Sequence, residues 1–144
     1  MAVAHLTLAR YTQAIGQPTA KFIPRIPELL KLEGWYSLQD GRRIKLSCRW
    51  KDLLRASNTK HFTSCFSFSC CYKEQPLMRM KSPEWLVIML LDLAGNVQAR
   101  AYCYLKGKKL HVSKCHGNGL DFNQLTESTL HNVIGLEESD NVYL

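Results

Sequence analysis

The sequence lacks every motif that would assign a function directly. It has no complete phosphate loop of the form G-x-x-x-x-G-K-[ST], no G-x-G-x-x-G fingerprint and no C-x-x-C pair. Its longest apolar run, Trp85–Leu91, is far shorter than the ~20 residues that a membrane-spanning helix requires. No basic region followed by a long apolar stretch suggests a secretory signal. We therefore expect a protein without a membrane span, a secretory signal or a cofactor.

The six cysteines lack the spacing of a disulfide framework. Cys70 and Cys71 are adjacent and awkward to pair with each other, so a reduced, cytoplasmic protein is the better interpretation. A zinc site would draw on Cys65, Cys70, Cys71, Cys103, Cys115, His61, His111 and His116. Their pairs are adjacent or too far apart for the usual tetrahedral site. Cysteines acting as small buried hydrophobic residues are therefore favoured over a metal site.

Acidic residues are scarce in two segments of the chain. The sequence holds 19 Lys and Arg against 12 Asp and Glu, a net charge of +7. Residues 21–60 hold ten basic and four acidic residues, and residues 97–116 hold five basic and no acidic ones. The last segment, 117–144, is acidic. A basic body of this kind attracts polyanions through counterion release, and a merely solvated surface is the alternative.

Residues 85–116 predict a three-stranded antiparallel meander. Apolar runs are separated by loops at Leu93–Asn96 and Lys106–Lys109. Counting with period two predicts an apolar core face made of Leu86, Ile88, Leu90, Ala99, Ala101, Cys103, Leu110 and Val112. The opposite face is predicted in three rows: Trp85 with Tyr104 and His111, Val87 with Tyr102 and Ser113, and Met89 with Arg100 and Cys115.

The N-terminal half predicts one further strand, over Arg42–Trp50. Its apolar positions Ile44, Leu46, Cys48 and Trp50 alternate with Arg43, Lys45, Ser47 and Arg49. A turn is expected at Gln39-Asp40-Gly41. Short helices are expected at 1–15, 27–33, 50–56 and 121–134, with an aromatic-anchored loop over 57–84.

These elements combine into one α+β domain over residues 1–136, followed by an acidic tail over 137–144. The fold class is an antiparallel sheet of at least four strands, made of the meander and an N-terminal strand, with packed helices.

The second face of the meander resembles a stacking platform for nucleic acid. Aromatic side chains interleave there with arginine and are flanked by lysines, and bases stack on aromatic rings while cations follow the phosphates. The predicted contacts are Arg43, Lys45, Arg49, Arg100, Tyr102, Tyr104, Lys106, Lys108, Lys109, Lys114 and Asn118. The alternative is that this face is covered and forms a second core layer, in which Arg100 must find a partner.

Two further functions remain open. The first is a protein that inhibits a host enzyme of defence or nucleic-acid metabolism by binding it. The second is a cysteine-dependent enzyme, with Cys65 as nucleophile and His111 or His116 as base. A non-enzymatic binding module that engages nucleic acid, or a host protein associated with it, is favoured over both.

The order of four short motifs resembles that of uncharacterised proteins encoded by phages and plasmids. These are Ser64-Cys65, Asp92-x-x-Gly95, Ala99-Arg100 and His116-Gly117-Asn118-Gly119. The resemblance implies a bacterial cytosol and a mobile-element origin, and it marks Cys65, Arg100 and Asn118 as positions to test. It implies no activity.

Overall fold

A computed structural model describes residues 26–58, 78–79, 82–113, 115–117 and, by their backbone alone, 135–138. In chain order the elements are α1 Pro27–Leu30, β1 Gly34–Ser37, β2 Arg43–Ser47, α2 Trp50–Arg55, β3 Trp85–Leu91, β4 Val97–Lys106, β5 Lys109–Val112, β6 His116–Gly117 and β7 Gly135–Glu138.

The strands form one sheet in the order β1-β2-β3-β4-β5-β7, and β6 pairs with β4 beyond the end of β5. Every pairing is antiparallel except the parallel one between β5 and β7. The predicted antiparallel sheet is therefore confirmed. Among the described residues a layer of packed helices is not supported, since α1 and α2, the helices that flank β1 and β2, are only four and six residues long. The helices predicted at 1–15 and 121–134 lie outside the described residues.

The meander of β3, β4 and β5 has the predicted register in its first row. Tyr104 pairs with Trp85 on one side and with His111 on the other. The second loop is shorter than predicted, because Lys106 and Lys109 pair with each other and leave a two-residue turn. Its first residue is a glycine with φ of 63°, as a type II′ hairpin turn requires.

The third row differs from the prediction by one residue. Arg100 pairs with His116 rather than with Cys115. The extra residue is absorbed after Ser113, whose N–H and Oγ–H both donate to Tyr102 O, at 2.9 Å and 2.6 Å. Such an insertion is a bulge, which shifts all later side chains by one position.

β1 is a strand that the sequence analysis did not predict. It pairs with β2 so that Trp35 lies opposite Lys45. The predicted turn between them is confirmed, with Asp40 Oδ1 accepting a hydrogen bond from Arg42 N–H at 3.0 Å. Gly41 has φ of 89° there, a conformation that glycine adopts without steric cost.

The strand predicted over Arg42–Trp50 ends at Ser47, and the predicted helix that follows is confirmed as α2. Trp50 begins this helix and packs on the opposite side of the sheet from Ile44. Its predicted place on the apolar face of β2 is therefore wrong, because period-two alternation stops where the strand stops.

Both faces of the sheet are buried at its central strand, β3. The first core contains the predicted apolar face of the meander with Ile44 and Leu46 of β2 and Leu29 of α1. The second core places α2 on β3 and β4, and it contains Trp50, Leu53, Leu54, Ala56, Trp85, Val87, Met89, Leu91, Val97 and Tyr102. β3 is consequently buried along its whole length, as its unbroken apolar sequence indicates.

β7 crosses the position at which the domain was predicted to end. Its residues Gly135–Glu138 pair in parallel with Lys109–Val112. The rest of the predicted acidic tail, 139–144, lies outside the described residues.

Candidate functional site

The part of the meander that carries Arg100 and Tyr102 is closed to solvent. Both residues are 0% exposed, and Tyr102 belongs to the core beneath α2. Neither side chain can reach a phosphate or stack on a base from this position, so their assignment to an open binding face is corrected. A second core layer, the alternative expectation, is found at these two residues, whereas Tyr104 on the same face is half-buried.

The hydroxyl of Tyr102 fastens β4 to the helical segment above it. It donates a hydrogen bond to Leu53 O at 2.6 Å and lies 2.7 Å from Ser57 Oγ, which is itself buried. Burial raises the pKa of this phenol. The positive charges of Arg100 and Arg79 act to lower the pKa, but their effect is smaller than that of burial. The group is therefore a neutral structural anchor at physiological pH.

Two buried guanidinium groups flank the Tyr102 ring. Arg79 Cζ lies 5.0 Å from its centroid and 4.4 Å from the centroid of Trp85, and Arg100 Cζ lies 4.8 Å from the centroid of Tyr102. Arg100 also reaches β6, where its Nη1 lies 3.2 Å from His116 Nδ1. The π faces of the rings attract these cations in a desolvated setting. Arg79, Trp85, Arg100 and Tyr102 are part of the interior of the fold, and His116 is half-buried at its edge.

The residues of the possible cysteine enzyme are only partly described. His111 stacks on Tyr104, with a ring separation of 4.7 Å and an interplanar angle of 8°, whereas His116 lies beside Arg100. Their partners on β4 are four residues apart, or about 13 Å at ~3.3 Å per residue. At most one of the two histidines could therefore serve a given thiol. Cys65 lies outside the described residues.

The described cysteines are poor nucleophiles. Cys48 and Cys103 are buried. Burial raises the pKa of Cys103 well above its ordinary value and that of Cys115 to about 12, even though Arg100 opposes the latter shift. Because the thiolate is the reactive species, we expect the Cys103 and Cys115 thiols to react slowly at neutral pH.

An open site with both an aromatic ring and cations lies at the β1 end of the sheet. Trp35 is 49% exposed, with Arg43 Cζ 4.4 Å and Lys45 Nζ 4.9 Å from its ring centroid. We call these three residues the Trp35 surface. Register explains it, because Trp35 pairs with Lys45 and the next residue on the same face of β2 is Arg43.

A buried carboxylate fixes Lys45 in this surface. Asp52 of α2 accepts from Lys45 Nζ at 2.9 Å, from Ser47 Oγ at 2.6 Å and pairs with Arg55 Nε at 2.9 Å. Burial alone would raise the pKa of Asp52, but the hydrogen bonds from Ser47 and Lys45 and the two positive charges outweigh it and lower the pKa. Asp52 is thus ionised and holds the Lys45 ammonium beside Trp35.

A second aromatic pair reaches solvent near the β4–β5 turn. Tyr104 and His111 are half-buried and stacked, and Tyr104 also contacts Trp85 at a ring separation of 5.0 Å. The turn beside them carries the exposed residues Lys106, Gly107, Lys108 and Lys109.

The predicted nucleic-acid contacts therefore fall into three groups. Those exposed or partly exposed are Arg43, Lys45, Arg49, Tyr104, Lys106, Lys108 and Lys109. Arg100 and Tyr102 are buried. Lys114 and Asn118 lie outside the described residues. Trp35 was not among the predicted contacts. The Asp40-Gly41 turn lies between two segments with apolar residues, which is the usual signal of a hairpin, and this signal would have placed Trp35 on a strand.

Several motif residues of the phage and plasmid resemblance have structural roles. Asp92 organises the β3–β4 turn by accepting hydrogen bonds from Ala94 N–H at 2.9 Å and Asn96 N–H at 2.8 Å. Ala99 pairs with Gly117 where β6 approaches β4.

Comparisons with known proteins add no identity. No protein-family model matches the chain, and no protein of curated function matches it in sequence.

Within the described ranges no three His, Cys, Asp or Glu side chains are grouped as metal ligands would be. The same ranges contain no helix that is long and apolar enough to span a membrane.

Proposed function

We propose that the protein is a small non-enzymatic module that binds nucleic acid through the Trp35 surface. The observation that carries this proposal is a half-exposed tryptophan with the guanidinium of Arg43 at 4.4 Å and the ammonium of Lys45 at 4.9 Å. An unpaired base can stack on the ring, and the Arg43 guanidinium can turn to a neighbouring phosphate, while Lys45 stays paired with Asp52 and adds positive charge beside the ring.

The magnitudes require more than this one ring. Stacking of one base on an aromatic side chain contributes about 1–3 kcal/mol, whereas micromolar affinity requires about 8 kcal/mol. Counterion release by basic residues must supply most of the remainder. The exposed Arg49 at the start of α2 and the lysines of the β4–β5 turn are the described groups that can contribute. We therefore expect binding to depend strongly on salt concentration.

The phage or plasmid origin implied by the order of motifs is part of this proposal and rests on that order alone. In such a setting the ligand would be the nucleic acid of the element or of its host.

The proposal is tested by titrating fluorescently labelled single-stranded DNA and RNA oligonucleotides at several salt concentrations. We expect the affinity to fall steeply as salt rises, and Trp35→Ala to weaken binding about tenfold, because one stacked base is worth about that much. Trp35→Leu keeps an apolar side chain without the ring and should behave like the alanine variant. The emission of Trp35 should be quenched on binding, and it can be assigned because Trp50 and Trp85 are buried.

A matched pair of charge variants separates a specific contact from net charge. Arg43→Gln removes a cation from the Trp35 surface, while Arg42→Gln removes the neighbouring cation, which pairs with Asp40 at 2.7 Å instead. We expect the first to weaken binding clearly more than the second. Equal effects, or no salt-dependent binding at all, would contradict the proposal. If there is no salt-dependent binding, a pull-down from nuclease-treated host lysate is the next test. A host protein that still binds in it would favour the inhibitor hypothesis.

A further inference from the structure

We infer that the ligand is single-stranded and that it is held at two stacking sites on the same face of the sheet. The first is the Trp35 surface and the second is the Tyr104 surface, which we define as Tyr104 and His111 with the flanking Lys106 and Lys109. The inference rests on the proposed function, and it names the form of nucleic acid that this function would select.

Cross-strand pairing places the two sites on one face. Trp35 lies opposite Lys45, Lys45 opposite Met89, and Met89 opposite Arg100. Tyr104 follows Arg100 by four residues on β4, and an even number of residues along a strand returns to the same face. The Tyr104 ring thus projects from the side of the sheet that also carries Trp35.

The distance between the sites suits a short strand of nucleic acid. Trp35 and Tyr104 are separated by three strand spacings, about 14 Å, and by four residues along the strands, about 13 Å, or roughly 20 Å in all. At the ~3.4 Å per nucleotide of a stacked strand, about six nucleotides would span this direct distance, and a strand that passes over α2 needs a few more. Footprints of ~4–16 nucleotides are usual for single-strand-binding domains.

The interval between the two surfaces also carries cations. α2 covers the middle of this face, and Arg49 before it is exposed while Lys51 and Arg55 within it are half-buried. The three exposed lysines of the β4–β5 turn lie beyond Tyr104, where β7 also pairs Glu137 with His111, rather than in this interval. A phosphate backbone that leaves Trp35 would therefore meet positive charge on its way to Tyr104.

Stacking at both sites selects single strands over duplex. A base paired within a duplex has both of its faces covered by its neighbours, so neither Trp35 nor His111 can stack on it without the cost of unstacking. A duplex could use the phosphate contacts alone. When one strand occupies both sites, its second contact is intramolecular and forms at a high effective concentration. The affinity then rises by more than the extra phosphate contacts of a longer strand would add.

The experiment measures the affinity of the full-length protein for oligo(dT) of increasing length, from about two to about twelve nucleotides, a range that brackets the bridging length. We expect a step of about tenfold or more between about six and about ten nucleotides, and weaker binding of a duplex of equal length. His111→Ala should abolish the step, and it should lower the affinity for long oligonucleotides by a larger factor than the affinity for the shortest ones. Tyr104→Leu is the second variant, and urea unfolding of both verifies that they are folded.

The outcomes distinguish the two proposals. If no oligonucleotide binds, the proposed function fails and this inference fails with it. If short oligonucleotides bind in a manner that depends on Trp35, but affinity rises smoothly with length and neither Tyr104→Leu nor His111→Ala alters it, the two-site inference alone is overturned. An equal loss for short and long oligonucleotides in His111→Ala also overturns it, because that result indicates one shared site.

Discussion

Gly117 occupies a position that only glycine can fill. Its φ is 128°, in the region that side chains with a Cβ rarely adopt. A Cβ atom there would lie 2.3 Å from Gln98 O and 2.5 Å from Ala99 Cα. Both atoms belong to the backbone of β4, so they cannot move aside as a flexible side chain could. The close approach of β6 to β4 therefore depends on this one residue.

We predict that Gly117→Ala lowers the free energy of unfolding by about 3 kcal/mol, because backbone strain of ~1–2 kcal/mol adds to a steric clash of similar size. Gly95→Ala is the control, since Gly95 also has a positive φ, 85°, but has nothing within 4 Å of the added methyl group. It should cost only the strain, about 1 kcal/mol. Urea denaturation measures both, and equal losses would show that the contact with β4 is not tight.

The burial of Arg100 shows where reasoning from single residues is limited. Alternation along β4 correctly placed Arg100 and Tyr102 on the face opposite the alanines. Whether that face is open depends on α2, which is distant in sequence and packs over it. Sequence periodicity determines the direction of a side chain, but it does not determine what covers the side chain.

At the scale of elements, α2 is attached to β2 through one carboxylate. Asp52 bonds to Ser47 and Lys45 of β2 and pairs with Arg55 on its own helix. A helix of six residues is too short to be stable by itself. The position of α2 therefore depends on its buried apolar residues and on this ionic contact, which also orients Lys45 toward Trp35.

We predict that Asp52→Asn lowers the free energy of unfolding at neutral pH by about 2 kcal/mol, because the charge-assisted hydrogen bonds are weakened and Lys45 loses its counterion. The pKa of Asp52 is lowered in the folded state. Its contribution is therefore present above the unfolded-state pKa of about 4 and is lost as the pH falls through the folded-state pKa. Urea denaturation from about pH 2 to pH 6 should show a shallower acid loss in the variant.

Asp40→Asn provides the comparison for this series. Asp40 pairs with Arg42, but both side chains are open to solvent, and exposed ion pairs contribute little. The neutral-pH stability of this variant should stay close to that of the parent protein. If Asp40→Asn and Asp52→Asn lower the free energy of unfolding equally, the buried ionic contact of Asp52 contributes no more than an exposed ion pair.

The elements themselves were partly predictable. The meander followed from uninterrupted apolar runs and turn residues, and the helix at α2 and the turn at Asp40-Gly41 were also predicted. β1 was not predicted because Gly34–Ser37 has only four residues. Its alternation of exposed and half-buried side chains is too short to stand out in the sequence. The bulge after Ser113 was not predictable by counting, since it depends on a close contact between β6 and β4 that no local pattern encodes.

At the scale of the whole molecule, the described cysteines report on unfolding. Cys48 and Cys103 are buried in the core between β2, β3 and β4, and Cys115 packs against it. We predict that a Cys65→Ser, Cys70→Ser and Cys71→Ser variant contains no thiol that reacts rapidly with a chromogenic disulfide at neutral pH. Cys48 and Cys103 should react only when the sheet opens.

The labelling rate is measured with increasing urea and compared with the unfolding rate obtained from tryptophan fluorescence. We expect the two buried thiols to become reactive together, because both lie in one core. Cys115→Ser is the control that identifies the more accessible third thiol. Rapid labelling of Cys103 without denaturant would show that the core opens locally rather than as a unit.

The parallel pairing of β5 with β7 has a consequence for biosynthesis. Strands β1 to β5 each pair with the next strand in the chain. They can therefore pair one after another as the nascent chain leaves the ribosome. The outer edge of β5 stays bare until residues 113–134 have been translated and Gly135–Glu138 can return to it. During that interval the newborn protein exposes unpaired backbone groups to other chains, the situation in which strand edges aggregate. The two glutamates in β7 thus belong to the segment that closes the sheet last.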